Sequence, residues 1–141
     1  MNFYLFVMVF GILAILILFV QFVGSGQVDN IPTQSAFDQF STGHFILGTL
    51  ICAPFLIILE KNRKRKKDLL FIIMIALVST LMISIAFELF ENSEFFVNSV
   101  RAKYNNQADS VLNSSTDIML NVLGASLLCY IYWILYRNKG K

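Results

Sequence analysis

Histidine occurs once in this sequence, at position 44, which excludes any metal centre built on several imidazoles. Cysteine occurs twice, as Cys52 and Cys129, each inside an apolar run and without the close spacing of a thiolate metal site. Both are expected to serve as small packing residues. Charge is scarce too: 14% of the 141 residues are Asp, Glu, Lys or Arg, while 57% are hydrophobic. A soluble domain of this length has too little interior to hide that much apolar side chain. The composition is that of a small integral membrane protein. No internal repeat or low-complexity tract interrupts it.

No basic residue precedes the first apolar run, 3–23. That run also exceeds the roughly 7–15 residues of a secretory signal core, although Gly24-Ser25-Gly26 resembles a small-residue cleavage site. Its length suits a bilayer span of about 20 residues, so a retained helix is expected. A polar link, 24–42, carries Pro32, Asp29 and Asp38. The second span, about 43–59, contains Pro54, which is tolerable where neighbouring helices or water satisfy the freed carbonyl. Lys61–Lys67 then reads K-N-R-K-R-K-K. Between two apolar runs this is a topology signal, and no nucleic-acid partner is inferred from it.

The third span covers about 69–89 and the fourth about 116–136, with a polar connection, 90–115, between them. Phe96, Val100 and Tyr104 recur there at i, i+4, i+8, with Ser93 as a candidate cap, which predicts a short interfacial helix. Tyr130, Tyr132, Trp133 and Tyr136 close the last span and are expected to anchor it at the membrane interface. Of the 11 Lys and Arg residues, six lie in 61–67, and Arg137, Lys139 and Lys141 follow the last span. The positive-inside rule places that side in the cytoplasm. The expected architecture is an all-α integral membrane protein, a single domain over 1–141 in the plasma membrane. It is a bundle of four transmembrane helices with both termini cytoplasmic.

Counting from the basic ends at 1.5 Å per residue, His44 stands ~25 Å above Lys61, and Glu88 ~30 Å above Lys67. Asp117 stands ~30 Å and Asn121 ~24 Å above Arg137 on the same rise. All four reach one level, just inside the outer face of a layer ~30 Å thick. Facing directions agree. Thr80, Ser84, Glu88 and Asn92 recur every fourth residue, with Glu91 alongside; Asn113, Asp117, Asn121 and Gly124 form a second stripe, and His44, Gly48 and Cys52 a third. Lipid penalises such stripes, so they should face one another. Small residues (Gly48, Gly124, Ala125, Ser126) favour close helix approach. Polar residues on membrane helices also serve simply as interhelical hydrogen-bond glue, and that alternative stays open.

Certain motifs resemble known families. E-x-x-E-N at Glu88, Glu91 and Asn92, a following Arg101, D-S-V-x-N-S-x-[ST]-D over 109–117, and T-G-H-F-I-L-G around His44 resemble a family of small bacterial membrane proteins of unknown function. A wider resemblance is to VanZ-like proteins, which pair a histidine at a helix start with a later acid and R…D-x-x-x-N-x-x-G. His44, Glu88, Arg101, Asp117, Asn121 and Gly124 stand at those positions. The Asp-Lys pair usual before that histidine is represented here by Asp38 alone. The resemblance implies a role facing the cell envelope, where VanZ itself is associated with low-level resistance to a lipoglycopeptide antibiotic.

Chemically, His44, Glu88 and Asp117 are the candidate catalytic groups. Glu91, Asn92, Arg101, Asp109, Asn113 and Asn121 are candidate ligand-binding residues. His44 titrates near neutrality, a nearby carboxylate would orient it, and Arg101 would hold a phosphate or carboxylate. The expected partner is a membrane lipid or lipid-linked amphiphile entering laterally, which the protein binds or modifies. A non-catalytic antibiotic- or precursor-binding protein is the alternative reading. A transporter subunit would be expected to show inverted repeats and broken helices. No cofactor is expected. The one exception that the donors allow is a harder divalent ion at His44, Glu88 and Asp117, with Glu91 and Asp109 nearby, although no helical metal-binding signature is present.

Overall fold

Apolar side chains point outward in this protein and many polar ones point inward. The computed structural model describes residues 41–63, 68–99 and 110–137, together with Ile12. These form four helices: α1 (Ser41–Lys61), α2 (Asp68–Glu91), the short α3 (Glu94–Ser99) and α4 (Val111–Tyr136). At 21, 24 and 26 residues, α1, α2 and α4 are long and apolar enough to cross a membrane. A helix of that size is roughly 30–40 Å long, against a hydrocarbon layer of about 30 Å. Apart from Ile12, the first expected span, 3–23, lies outside the described residues, as do both chain termini, the loop 24–40 and residues 64–67 and 100–109.

On α2 the buried residues are Leu69, Ile72, Ala76, Thr80, Ser84 and Glu88, a single stripe with steps of three or four. Around it Phe71, Met74, Val78, Met82 and Leu89 are exposed. An aqueous surface would penalise that arrangement, whereas lipid is the matching solvent for it. The buried hydroxyls need no external partner, because Thr80 donates to the Ala76 carbonyl and Ser84 to the Thr80 carbonyl, both at 2.8 Å. Pro54, which has no N–H to donate, lies on an exposed face of α1.

α4 packs most extensively on α1, and two glycines set that contact. A Cβ placed on Gly48 would collide with the carbonyl oxygen of Asn121, and one on Gly124 with the carbonyl oxygen of Phe45. Backbone thus meets backbone where the two helices cross, which is the use of small residues in membrane packing. Contacts between His44 and Asn121, Cys52 and Cys129, and Glu60 and Tyr132 advance together along both helices, so α1 and α4 run parallel. α2 returns antiparallel to them.

The core changes character along the bundle. Toward the Lys61 end it is built from Leu56, Ile72, Leu128 and Tyr132, with the two free cysteines placing their sulfurs 3.5 Å apart. Toward the Ser41 end Glu88, Asn113, Asp117 and Asn121 are buried instead. One sequence expectation is corrected here. Tyr132 and Tyr136 do not join Tyr130 and Trp133 at the surface but are buried, their rings 4.8 Å apart. They continue the stripe of Gly124, Ala125, Leu128 and Cys129, and the helix repeat carries that face inward to its last turn. Tyr130 and Trp133 are exposed and stack on each other at 6.2 Å, with the Arg137 guanidinium over the indole.

The connection after α2 turns at once. Ser93 donates to the Phe90 carbonyl at 2.6 Å and accepts from the Phe96 N–H at 3.3 Å, starting α3. Phe90 and Phe96 then meet edge to face at 5.2 Å. α4 begins at Val111, several residues before the apolar run itself. Ser110, in extended backbone geometry, accepts from the Asn113 N–H at 3.1 Å and caps the helix. Most of the polar 109–117 motif is therefore wound into the first turns of α4.

Candidate functional site

Three helices bring ionisable side chains to the Ser41 end of the bundle. His44 sits in the first turn of α1, Glu88 in the last turn of α2, and Asp117 two turns into α4. The imidazole lies between the two carboxylates: Nδ1 is 3.8 Å from Glu88 Oε1, and Nε2 is 3.6 Å from Asp117 Oδ2. His44 retains 12% side-chain exposure, while both acids are buried. Asn121, one turn below Asp117 and fully buried, brings its amide Nδ2 to 3.5 Å from His44 Nδ1. These separations are longer than ideal hydrogen bonds, so the groups are close enough to be coupled but are not clamped to one another.

The Gly48 contact explains why Asn121 reaches the ring. With the α4 backbone seated against α1 at that level, a short amide side chain suffices to meet His44 one turn away. Glu91 approaches from the end of α2, and one donor atom from each of His44, Glu88 and Glu91 lies within 4.8 Å of the others. Asn113 is buried in the first turn of α4. Asn92 plays a different part in its described contacts. Its side-chain amide donates to the Glu88 carbonyl at 3.0 Å and to Ser114 Oγ at 3.1 Å, tying the end of α2 to α4. Arg101 and Asp109 lie outside the described residues.

The arrangement can do three things. It can hold a proton on an imidazole that has a carboxylate at each nitrogen, orient that imidazole as an acid or base, and present several oxygen donors to a cation. All three depend on scarce water, since ion–dipole and ion–ion terms strengthen as the local dielectric falls.

A second polar cluster, at the opposite end, went unnoticed in the sequence. Tyr132 donates its hydroxyl to Glu60 Oε2, Arg63 Nε pairs with the same oxygen at 3.0 Å, and the guanidinium lies 5.5 Å from the Tyr136 ring centroid. Glu60 and Arg63 stand at i, i+3, the one local signal that could have paired them. The cluster joins the end of α1 to the end of α4 and reads as a structural clasp.

No curated protein and no solved structure matches this chain. Three apolar helices with lipid-type outer faces describe a multi-pass membrane protein, and the sequence matches a family of that description over residues 3–139. The chain belongs to the family described as "Predicted membrane protein (DUF2238)".

Proposed function

We propose that the His44 cluster is a headgroup site. In this reading the protein binds or modifies the polar part of an envelope lipid, lipid-linked precursor or lipopeptide at the extracytoplasmic face of the plasma membrane. The observation that carries the reading is the placement of one imidazole between two buried carboxylates from different helices. Ionisable groups inside a membrane bundle are costly to bury and mark functional sites by default. Hydrogen-bond glue would need only the neutral amides and hydroxyls.

The basic residues at 61–67 and after 136 assign the Lys61 end to the cytoplasm, leaving His44 near the outer interface. There a headgroup can enter from the side while its acyl chains stay in the lipid. VanZ-like resemblance points the same way, toward the envelope. His44 would act as the proton-carrying group, with Glu88 and Asp117 orienting it.

The test is native mass spectrometry of the gently solubilised protein beside its Glu88→Gln and Asp117→Asn forms. The expected result is a lipid-class adduct on the wild type that both folded variants lose. A wild type free of retained lipid, with variants of equal stability, would return the cluster to a packing role.

A further inference from the structure

We infer that His44 Nδ1, Glu88 and Glu91 form a binding site for a divalent cation, with Asp117 as the group that orients the histidine from its other nitrogen. The inference deepens the headgroup reading, since it concerns the same end of the bundle and names what that site would offer an anionic headgroup.

The geometry carries the argument. Two ligands of one ion, each about 2.1 Å from it, are separated by roughly 3.0–4.2 Å depending on the angle between them. Nδ1 and Glu88 Oε1 stand 3.8 Å apart, and one donor atom from each of His44, Glu88 and Glu91 lies within 4.8 Å of the others. Asp117 meets Nε2, at 3.6 Å, on the far side of the ring. It is thereby separated from the donor edge and placed as the carboxylate that accepts the Nε2 proton. Metal-ligating histidines characteristically donate their second N–H in this way, which leaves the first nitrogen's lone pair for the ion.

A second, independent observation comes from Asn121. It is fully buried, and among the described residues its Oδ1 has no hydrogen-bond partner. Its amide stands 3.5 Å from the same Nδ1 that faces Glu88. The two amide termini are nearly isosteric, so a half-turn of the group brings Oδ1 to that position. An amide oxygen there would be a fourth donor at a ligand-to-ligand distance. One nitrogen among carboxylate and amide oxygens suits an ion of the harder kind, such as Mn²⁺, more than one that seeks thiolates. Bound there, the cation would turn an acid-lined site into one that attracts phosphate or carboxylate.

The test is Mn²⁺ titration of the purified full-length chain in detergent, after chelation and removal of the chelator, read by loss of the free-ion electron paramagnetic resonance signal. Uptake of one Mn²⁺ per chain is expected, with electron spin-echo modulation from a directly bound imidazole nitrogen. Glu91→Gln, at a half-buried position that does not threaten the fold, should lose most of that uptake. Asp117→Asn should weaken binding about 10–100-fold and alter the nitrogen modulation, the effect of a lost outer partner. No stoichiometric uptake by the wild type overturns the inference, as does equal uptake by Glu91→Gln. The headgroup reading fails separately. Chelated protein that retains lipid but takes up no Mn²⁺ overturns the cation alone, and stoichiometric Mn²⁺ on lipid-free protein overturns the lipid reading alone.

Discussion

Gly48 and the carbonyl oxygen of Asn121 are in contact so close that no β-carbon fits between them. The helix crossing and the site are therefore one structural decision, because Asn121 is also the residue whose side chain meets His44. Gly48→Ala should push α1 from α4 and destabilise the protein by about 1–3 kcal/mol, the usual range for overpacking. Gly124→Ala, against Phe45, should act in the same direction. Thermal unfolding in detergent reads the stability. Loss of the native mass-spectrometric adduct at temperatures where the variant is still folded would show that the site tracks the crossing.

Amide substitutions separate the roles of the carboxylates. Glu88→Gln and Asp117→Asn preserve shape while removing charge from either side of His44. A catalytic acid or base should then fail by orders of magnitude in turnover of any substrate identified by retention. Binding that relies on hydrogen bonds alone should change by less than about tenfold, or 1.4 kcal/mol. A purely structural network would declare itself as a fall in melting temperature with no selective loss of ligand.

The clasp at the opposite end predicts a stability effect with no functional one. Tyr132→Phe keeps the ring and its packing but removes the hydroxyl that meets Glu60. Glu60 would retain Arg63 as a partner. The expected cost is about 1.5–3 kcal/mol, the range for a hydrogen bond to a charged group. Ligand retention at the His44 end should be unchanged, and a change there would mean that the two ends communicate.

Cys52 and Cys129 are buried side by side, so neither should react with a membrane-impermeant maleimide in the folded protein. Denaturation in SDS should release two reactive thiols per chain, counted by mass. Labelling of either residue before denaturation would contradict the packing of α1 on α4.

Much of this arrangement was legible because polarity is so rare in the chain. In a hydrocarbon sequence, Glu88 and Asp117 at four-residue steps from other polar groups can only be accommodated on an inward face. Counting residues from the basic ends then brings His44 to their level. The ends of the helices were harder to read. Ser110 is one of several Ser, Thr, Asn and Asp residues in its stretch, and nothing local marks it as the cap over its neighbours. Tyr132 and Tyr136 misled for a related reason: an aromatic near a membrane end suits the interface and the core equally well. Only the stripe running back to Gly124 distinguishes them from Tyr130 and Trp133. The Glu60–Arg63 pair was obscured by the run of like charges into which it leads. Asp117 and Glu88 are assigned to opposite nitrogens of His44 by the ring's orientation, which no spacing in the sequence encodes.

The change of core along the bundle also fixes where the interior can hold charge. Beneath His44, among the described residues, lie the buried hydroxyls of Thr49, Thr80 and Ser84 and then Cys52, Leu56, Ile72, Ala76 and Leu128, without a charged group until Glu60. Thr80 and Ser84 direct their hydroxyl protons to carbonyls of their own helix, so neutral side chains separate the charged groups of the two ends. The two ends of the bundle thus hold their charges as separate islands in a neutral interior.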